Sequence, residues 1–337
     1  MTDATPSTSP HNPNLQHFSV WSVGADSATS PFPGLNRTFI NFFFDVNSTT
    51  TLQRLHLEGG FGPSLLRVRE VLFWPRHAAA HGLRPDFIKR WRRTFAQLRP
   101  LLASGAAFGV FLGDELLWDC VPYDDLVTAS ALVRKDLDAA RMDRGDGQRF
   151  IIYYNEAFPP LDNITMWRDK CGDQVAQRGG FPSVPATIDW ISMDYYPNEG
   201  TFDGAQRIYR ERLYPKLNEH QRVLFVPPAF GCSSGSDRSF VDRYCCWDGT
   251  RDGANPPCQG DCEAAMLRWA RASYDWARSD RRFVGLNPWY WVQPGVPDPS
   301  TWPPNTSEVP GLYWLPRVRP LWEAIGREIV SGRQGDV

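Results

Sequence analysis

A chain of 337 residues is long enough to bury a large apolar core without the help of a bound metal. Its 36 Lys and Arg residues nearly balance its 38 Asp and Glu residues, so the net charge of −2 provides no field that would attract nucleic acid or an anionic membrane. No segment approaches the run of about eighteen apolar residues that crosses a bilayer. We therefore expect neither a nucleic-acid partner nor a membrane span.

The N-terminal segment differs in composition from the rest of the chain. Residues 1–15 are rich in Pro, Ser, Thr and Asn, which predicts a disordered leader, and they contain no apolar signal-peptide core. Residues 16–337 contain no internal linker, and we expect them to form one domain.

Eight later segments have the composition of strands, and the fourth is the clearest. It is apolar from Ala106 to Leu112 without polar alternation, which is typical of a parallel strand buried on both faces. It ends in Asp114 and Glu115, and two carboxylates are unfavourable at the end of a buried strand unless something uses them. In chain order, the eight predicted strands are residues 18–23, 38–45, 65–74, 106–115, 149–156, 187–196, 222–228 and 283–291.

Helical periodicity separates these strands. Pro85 is expected in the first turn of a helix that ends at Ser104-Gly105 and whose apolar face consists of Phe87, Trp91, Phe95, Leu98 and Leu102. Further helices are expected near 123–141, 202–217 and 318–330, and one more from about residue 262, with Met266, Trp269, Ala270 and Tyr274 facing inward.

The alternation of strands and helices predicts the fold class. Eight strand–helix units without a Gly-rich phosphate fingerprint favour an α/β fold, a single (β/α)8 TIM barrel, over an open doubly wound sheet. A cysteine-rich insertion, about 231–262, follows the seventh predicted strand. In such a barrel the C-terminal ends of the strands converge and carry the chemistry.

The cysteines and glycosylation sequons bear on the cellular compartment. Five of the seven cysteines crowd into the insertion, without the paired C-x-x-C spacing of a zinc ribbon. We expect the insertion to contain two internal disulfides and to wall the cleft, and the loops of Cys120 and Cys171 could be bridged as well. With four N-x-[ST] sequons, the cysteines favour secretion, although a protein that is not secreted stays open because no signal peptide is visible. The sequons start at Asn36, Asn47, Asn163 and Asn305.

Carboxylates and aromatic side chains, with almost no histidine or lysine, collect at the predicted strand ends. Cleavage of a glycosidic bond needs such a set, because one carboxylic acid donates a proton and a second carboxylate assists. The chain also has 14 Trp and 11 Tyr residues, and although most pack in the core, such rings also stack on sugars. The strand-end residues are Asp45, Glu70, Asp114, Glu115, Asn155, Glu156, Asp194, Tyr196, Trp289, Tyr290 and Trp291.

The strand ends resemble those of glycoside hydrolases of the (β/α)8 barrel type. An acid/base Glu on the fourth strand, an Asp-Tyr on the sixth and a Trp on the eighth are common to several of their families. Gly113-Asp114-Glu115 is similar to the Gly-Asp-Glu of the β-hexosaminidases, in which the Glu is the acid and the Asp orients the acetamido group. The chain departs from the large retaining clan, because the Asn155-Glu156 pair falls on the fifth predicted strand instead of the fourth.

These patterns predict a carbohydrate substrate and a role for each candidate residue. Glu115 is expected as the general acid with Asp114 in support, and Glu156 is preferred over Asp194 as the partner carboxylate. The separation of Glu115 and Glu156 would then predict retention or inversion. No cofactor is expected, and the expected state is a monomer. The residues expected to bind substrate are Tyr153, Asn155, Asp194, Tyr196, Trp289 and Trp291.

Two other functions remain open at this stage. A non-catalytic barrel that binds glycans or proteins is the main alternative, because the seventh predicted strand ends in Val226-Pro227-Pro228 without an acid. A serine hydrolase built on Ser233 is disfavoured, because no histidine follows it in the chain. For Asp45 and Glu70, pairing with arginine or helix capping is favoured over catalysis.

Overall fold

The computed structural model describes most of the chain. The described residues are 11–21, 37–57, 60–76, 81–144, 147–162, 164–173, 183–194, 202–229, 262–289, 312 and 315–332. Most of the predicted cysteine-rich insertion, with its two expected disulfides, lies outside these residues, as do the predicted site residues Tyr196 and Trp291.

Within the described residues, seven parallel strands form one sheet in the order β1-β7-β6-β5-β4-β3-β2. The first strand of the chain pairs with the last, and the other strands are neighbours of the strands next to them in sequence. The strands are β1 (His17–Phe18), β2 (Ser64–Arg67), β3 (Ala107–Asp114), β4 (Ile151–Ala157), β5 (Trp190–Asp194), β6 (Arg222–Phe225) and β7 (Phe283–Leu286).

Helices connect the strands, as expected for parallel crossovers. A π-helix (Tyr209–Leu213) and a 3₁₀-helix (Tyr214–Lys216) continue α7, so the helix predicted over 202–217 changes its winding on the way. The helices are α1 (Thr49–Leu57), α2 (Arg69–Leu72), α3 (Phe87–Ser104), α4 (Tyr123–Arg144), α5 (Phe158–Asp162), α6 (Ile164–Cys171), α7 (Phe202–Ile208), α8 (Cys262–Ser279) and α9 (Val318–Ser331).

The helix predicted to start at Pro85 is confirmed as α3, but it begins at Phe87 with Asp86 as its N-cap, so Pro85 precedes the first turn. Trp91, Leu98 and Leu102 are buried on one face, as the spacing predicted. The helix ends at Gly105, whose φ of +79° is the left-handed conformation that favours glycine at a C-terminal cap.

In the described parts of the chain, no helix is long and apolar enough to cross a membrane.

Two apolar clusters lie on opposite faces of the sheet, because side chains alternate along each strand. The larger one, the outer core, contains strand residues together with helix residues such as Trp91 and Trp322. The smaller one, the inner core, draws side chains from β2 to β7, so the sheet must curl around it. The inner core consists of Trp21, Phe42, Phe44, Leu65, Phe111, Tyr153, Trp190, Leu224, Val226 and Val284.

The predicted second strand, 38–45, is wrong as a strand. The segment lies between β1 and β2: the N–H of Asn41 donates to the carbonyl of Phe18 (3.1 Å), and the N–H of Leu65 donates to the carbonyl of Phe43 (2.7 Å). The N–H of Phe18, however, donates to the Asn41 side chain (3.0 Å). A side-chain acceptor thus replaces a main-chain one, which interrupts the regular ladder.

The predicted third strand, 65–74, is only partly correct. The strand ends at Arg67, and residues Arg69–Leu72 form the short helix α2. The N–H of Leu72 donates to the carbonyl of Val68 (3.1 Å) and not to a neighbouring strand. An apolar run of this length fits a buried helix turn as well as a strand, which is why the sequence did not separate the two.

Gly109 permits the close contact between β3 and β4. A Cβ at this position would lie 1.9 Å from the carbonyl oxygen of Ile151. We expect Gly109→Ala to lower the free energy of unfolding by about 2–3 kcal/mol, because the strands must separate locally to admit the methyl group. Denaturant titration measures the loss. Gly105→Ala is the control, with a loss of about 1 kcal/mol from its positive φ alone, since nothing lies within 4 Å of its Cβ. Equal effects would contradict this account.

Candidate active site

Asp114, Asn155 and Asp194 meet where β3, β4 and β5 end. Asp114 on β3 is the register partner of Asn155 on β4. Asp194 on β5 is the register partner of Ala157, two residues after Asn155. The Nδ2 atom of Asn155 donates to Oδ1 of Asp114 at 2.7 Å and to Oδ2 of Asp194 at 2.8 Å. One buried amide thus joins the carboxylates of the two strands that flank β4.

Two hydroxyl groups fix the orientation of the Asn155 amide. The Asn155 Oδ1 atom accepts a hydrogen bond from the Ser192 hydroxyl, which is itself 2.5 Å from the hydroxyl of Tyr153. Both Nδ2 hydrogens therefore point at carboxylates. Sequence reasoning missed Ser192, although its position two residues before Asp194 on the same strand places both on one face.

The two bridged carboxyl groups have raised pKa values. Burial and the neighbouring charge of Glu115 raise the pKa of Asp114 to about 7, against the lowering effects of the Asn155 hydrogen bond and of Arg76. Burial, followed by the charges of Asp114 and Glu115, raises the pKa of Asp194 well above its usual value. Two carboxyl groups this close titrate as a pair and retain one proton to a higher pH than either alone.

Glu115 lies at a bend just beyond β3. Its φ is +49°, which is uncommon for a residue other than glycine and persists where the surroundings impose it. Its N–H donates to the carbonyl of Asn155 (2.9 Å). The bend lets Asp114 and Glu115 approach one guanidinium, that of Arg76, at 3.6 Å and 2.5 Å. In a straight strand the two adjacent side chains would point to opposite faces.

The structure does not bring Glu156 into this cluster. Tyr154 belongs to the outer core and Tyr153 to the inner core, so Glu156 lies on the outer face of β4. It is fully buried, and its carboxylate accepts hydrogen bonds from the N–H groups of Leu117 (2.8 Å) and Trp118 (3.1 Å) and from the Tyr154 hydroxyl. Burial raises the pKa of Glu156 to about 8, although these hydrogen bonds lower it. Its contacts are those of an anchor for the loop after Glu115.

A disulfide fastens the same loop to the next strand–helix unit. Cys120 and Cys171 are bonded with their Cα atoms 5.3 Å apart, which confirms the predicted bridge between the loops. The indole N–H of Trp167 donates to the carbonyl of Leu117 (2.5 Å). The loop that begins at Glu115 is therefore tied to α6 by both covalent and hydrogen bonds.

Asp45 and Glu70 have the structural roles that the sequence favoured. Both contact Arg67, Asp45 at 3.0 Å and Glu70 at 3.3 Å. Among the described residues, no group of three His, Cys, Asp or Glu side chains is arranged to hold a metal ion.

The aromatic candidates divide into two groups. Tyr153 is fully buried and stacks on Phe111 with ring centroids 4.9 Å apart, so its hydroxyl supports Ser192 and does not reach the surface. Trp289 is partly exposed and packs against the inner core near Trp21, whose backbone it joins in a parallel bridge. Tyr196 and Trp291 lie outside the described residues.

No family model and no curated protein matches the chain. Its fold is similar to solved structures of a GH113 β-mannanase from Alicyclobacillus acidocaldarius (15% identity, 93% of this chain and 96% of that chain, TM-score 0.41). Others are a plant class V chitinase mutant from Cycas revoluta (10% identity, 95% and 100% coverage, TM-score 0.49) and fungal β-1,4-galactanases (12%, 82% and 90%, TM-score 0.45). Similarity at this level assigns neither a family nor a function to the chain.

Replacing Glu156 by Gln tests its role as an anchor. The amide oxygen of Gln can still accept at one of the two carboxylate positions, but the NH2 at the other position faces donors and cannot accept from them, so we expect the free energy of unfolding to fall by about 1–3 kcal/mol. Hydrogen exchange at the amides of Leu117 and Trp118 should become faster. The control, Glu70→Gln, affects one ion pair of a half-exposed side chain and should change stability by less than about 0.5 kcal/mol. Unchanged exchange in Glu156→Gln would contradict the anchoring role.

Proposed function

We propose that the protein is a glycoside hydrolase whose acid–base chemistry is carried by Asp114 and Asp194. The observation that supports this most strongly is the pair of hydrogen bonds from Asn155 to the two carboxylates. Both bonds start from the same nitrogen, at 2.7 Å and 2.8 Å, so the two acceptor oxygens can be at most about 5.5 Å apart. The limit applies to these two oxygens, and carboxyl groups joined in this way favour the roughly 5–5.5 Å arrangement of retaining glycosidases over the roughly 6.5–9.5 Å arrangement of inverting ones.

The chemistry follows from the shared proton. In the proposed reaction, the protonated member of the pair gives its proton to the glycosidic oxygen as the bond from that oxygen to the anomeric carbon breaks. The ionised member stabilises the positive charge that develops on the sugar or bonds to its anomeric carbon. Water then supplies a hydroxyl group to that carbon and returns a proton to the pair, which restores the starting state. We therefore expect the anomeric configuration to be retained.

The roles within the predicted set are redistributed in this proposal. Sequence reasoning gave Glu115 the proton and Asp114 the supporting part. The Glu115 side chain is held in an ion pair with Arg76, whereas burial and the neighbouring charge of Glu115 raise the pKa of Asp114 to about 7. Glu156 supports the loop in place of acting as the second carboxylate. Asn155 orients the pair, and Trp289 forms part of the floor below the sugar.

A binding protein without catalysis is the second candidate. The observation in its favour is the end of β6, where Val226 is buried in the inner core and two prolines follow. A barrel that keeps aromatic and polar side chains at its strand ends can bind a glycan without cleaving it. A substrate screen separates the two functions: glycan binding without turnover of any glycoside would favour this candidate.

The proposal includes a complete eight-membered barrel. The segment 38–45, although it is not a regular strand, would take the eighth position, and its hydrogen bonds with Phe18 on one side and Leu65 on the other support this. The insertion 231–262 would then project from the end that carries Asp114 and Asp194. We further propose a monomer that acts on a carbohydrate without a cofactor.

Asp114→Asn tests the proton donor. We expect a loss of about 10²–10⁴-fold in turnover of natural glycosides, and a much smaller loss with aryl glycosides, whose leaving groups need no proton. Wild-type activity should fall as the pH rises through about 7, the pKa of Asp114. Initial rates over a pH series with both substrate types measure these effects.

Glu115→Gln is the matched comparison for the proton donor. If this variant shows the leaving-group dependence and Asp114→Asn does not, Glu115 is the acid and the roles proposed here are reversed. Stability gives a second readout, because the raised pKa means that the folded protein binds this proton more tightly than the unfolded chain. The free energy of unfolding should fall as the pH rises from about 4 to about 7, and Asp114→Asn should flatten that slope.

We also propose that the chain passes through an oxidising, secretory compartment. The Cys120–Cys171 disulfide supports this, and so does the exposure of Asn47, the start of a sequon just before α1. Expression in a secreting eukaryotic host should give a glycan on Asn47 that a peptide N-glycosidase removes, and Thr49→Ala should abolish it. Mass spectrometry checks both. An unmodified Asn47 in the secreted protein would contradict this assignment.

A further inference from the structure

Arg76 lies against three carboxylates at the end of β3. Its guanidinium contacts Glu115 through Nη2 (2.5 Å), Asp119 through Nε (2.8 Å) and Asp114 through Nη1 (3.6 Å). The side chain is 41% exposed, so it lies at the border between the candidate site and solvent. Sequence reasoning did not single out Arg76, because nothing in its local pattern differs from that of a surface arginine.

A second arginine, Arg69, holds Asp119 and the backbone of Asp114 in place. Arg69 is nearly buried; its Nη2 contacts Asp119 (2.7 Å), and its Nη1 donates to the main-chain carbonyl of Asp114 (2.6 Å). Asp119 is therefore shared between Arg69 and Arg76. Because Asp119 takes the Nε of Arg76, the two Nη atoms are directed towards Asp114 and Glu115.

We propose that Arg76 is a positioning residue that offsets the charge of Glu115 and thereby weakens the hold of the Asp114–Asp194 pair on its shared proton, so that the pair can release that proton to a leaving group. Arg76 needs no contact with the reacting atoms for this, because it acts through the charge that it presents to the strand end. The inference deepens the proposed hydrolase function and rests on the assignment of the pair as the acid–base groups.

The charges that face Asp114 give the sign of the effect. Glu115 and Asp45 raise the pKa of Asp114, and Arg76 and the Asn155 amide lower it. Asp114, Glu115 and Glu156 raise the pKa of Asp194, and the Asn155 amide lowers it. Without Arg76, no positive charge from this side chain would offset the negative charges of Glu115 and Asp119. The pair would then hold its proton to a higher pH, by about one unit for a partly exposed cation at this distance.

The experiment compares Arg76→Met, Arg76→Lys and the wild type. Carboxyl carbons labelled with ¹³C are titrated by NMR in the complete protein, and the apparent pKa of the Asp114–Asp194 pair is read directly. We expect an upward shift of about one unit in Arg76→Met and a smaller shift in Arg76→Lys, which keeps a point charge but loses the planar fork. Arg90→Met is the control, because Arg90 has similar exposure and pairs with Asp86 on α3.

The outcomes separate this inference from the proposed function. The expected shift in the titration supports the role of Arg76 whether or not a glycoside is turned over, and in an active enzyme the basic limb of the pH–rate profile moves with it. An unchanged titration in both Arg76 variants overturns the inference. An unchanged titration together with a raised KM at every pH overturns it as well, and shows that Arg76 contacts the substrate instead.

Discussion

The candidate site depends on one hydrogen-bonding group, the side-chain amide of Asn155. It joins carboxylates from the strands on either side of β4, since Asp114 lies level with Asn155 on β3 and Asp194 lies two residues further along on β5. Two carboxylates so close repel each other when both are ionised, and a bridge of two donated hydrogens reduces that repulsion without removing it. The geometry therefore favours one shared proton, which a general acid needs at neutral pH.

The last residues of β4 contact different parts of the structure on the two faces of the sheet. Asn155 faces the inner side of the sheet and orients the carboxylates, whereas Glu156 faces the outer side and accepts hydrogen bonds from the loop after β3. That loop begins with Glu115 and is also fastened by Cys120 and Cys171. The candidate site and its support are thus built from adjacent residues of one strand, and a change in the register of β4 would disturb both at once.

The sequence predicted the parallel strands, the main helices and the level at which the chemistry lies, because apolar runs and helical periodicity are local signals. It did not predict the irregular path of 38–45, where a side chain of Asn41 replaces a main-chain partner. It also did not separate the roles of Asn155 and Glu156. Both end the same strand, and only the alternation fixed by the actual register decides which one faces inward. Arg76 and Ser192 were missed because their importance comes from residues distant in sequence.

The left-handed backbone at Glu115 implies a conflict between stability and function at a single position. Glycine or asparagine adopts a φ of +49° with less strain than glutamate, so either residue would suit the chain better there. Neither can supply a carboxylate to Arg76 from that bend. Selection for a more stable protein would thus favour the loss of this side chain, whereas selection for the charge arrangement at the strand ends would preserve it. Selection for stability alone would therefore be expected to give a more stable protein with an impaired site.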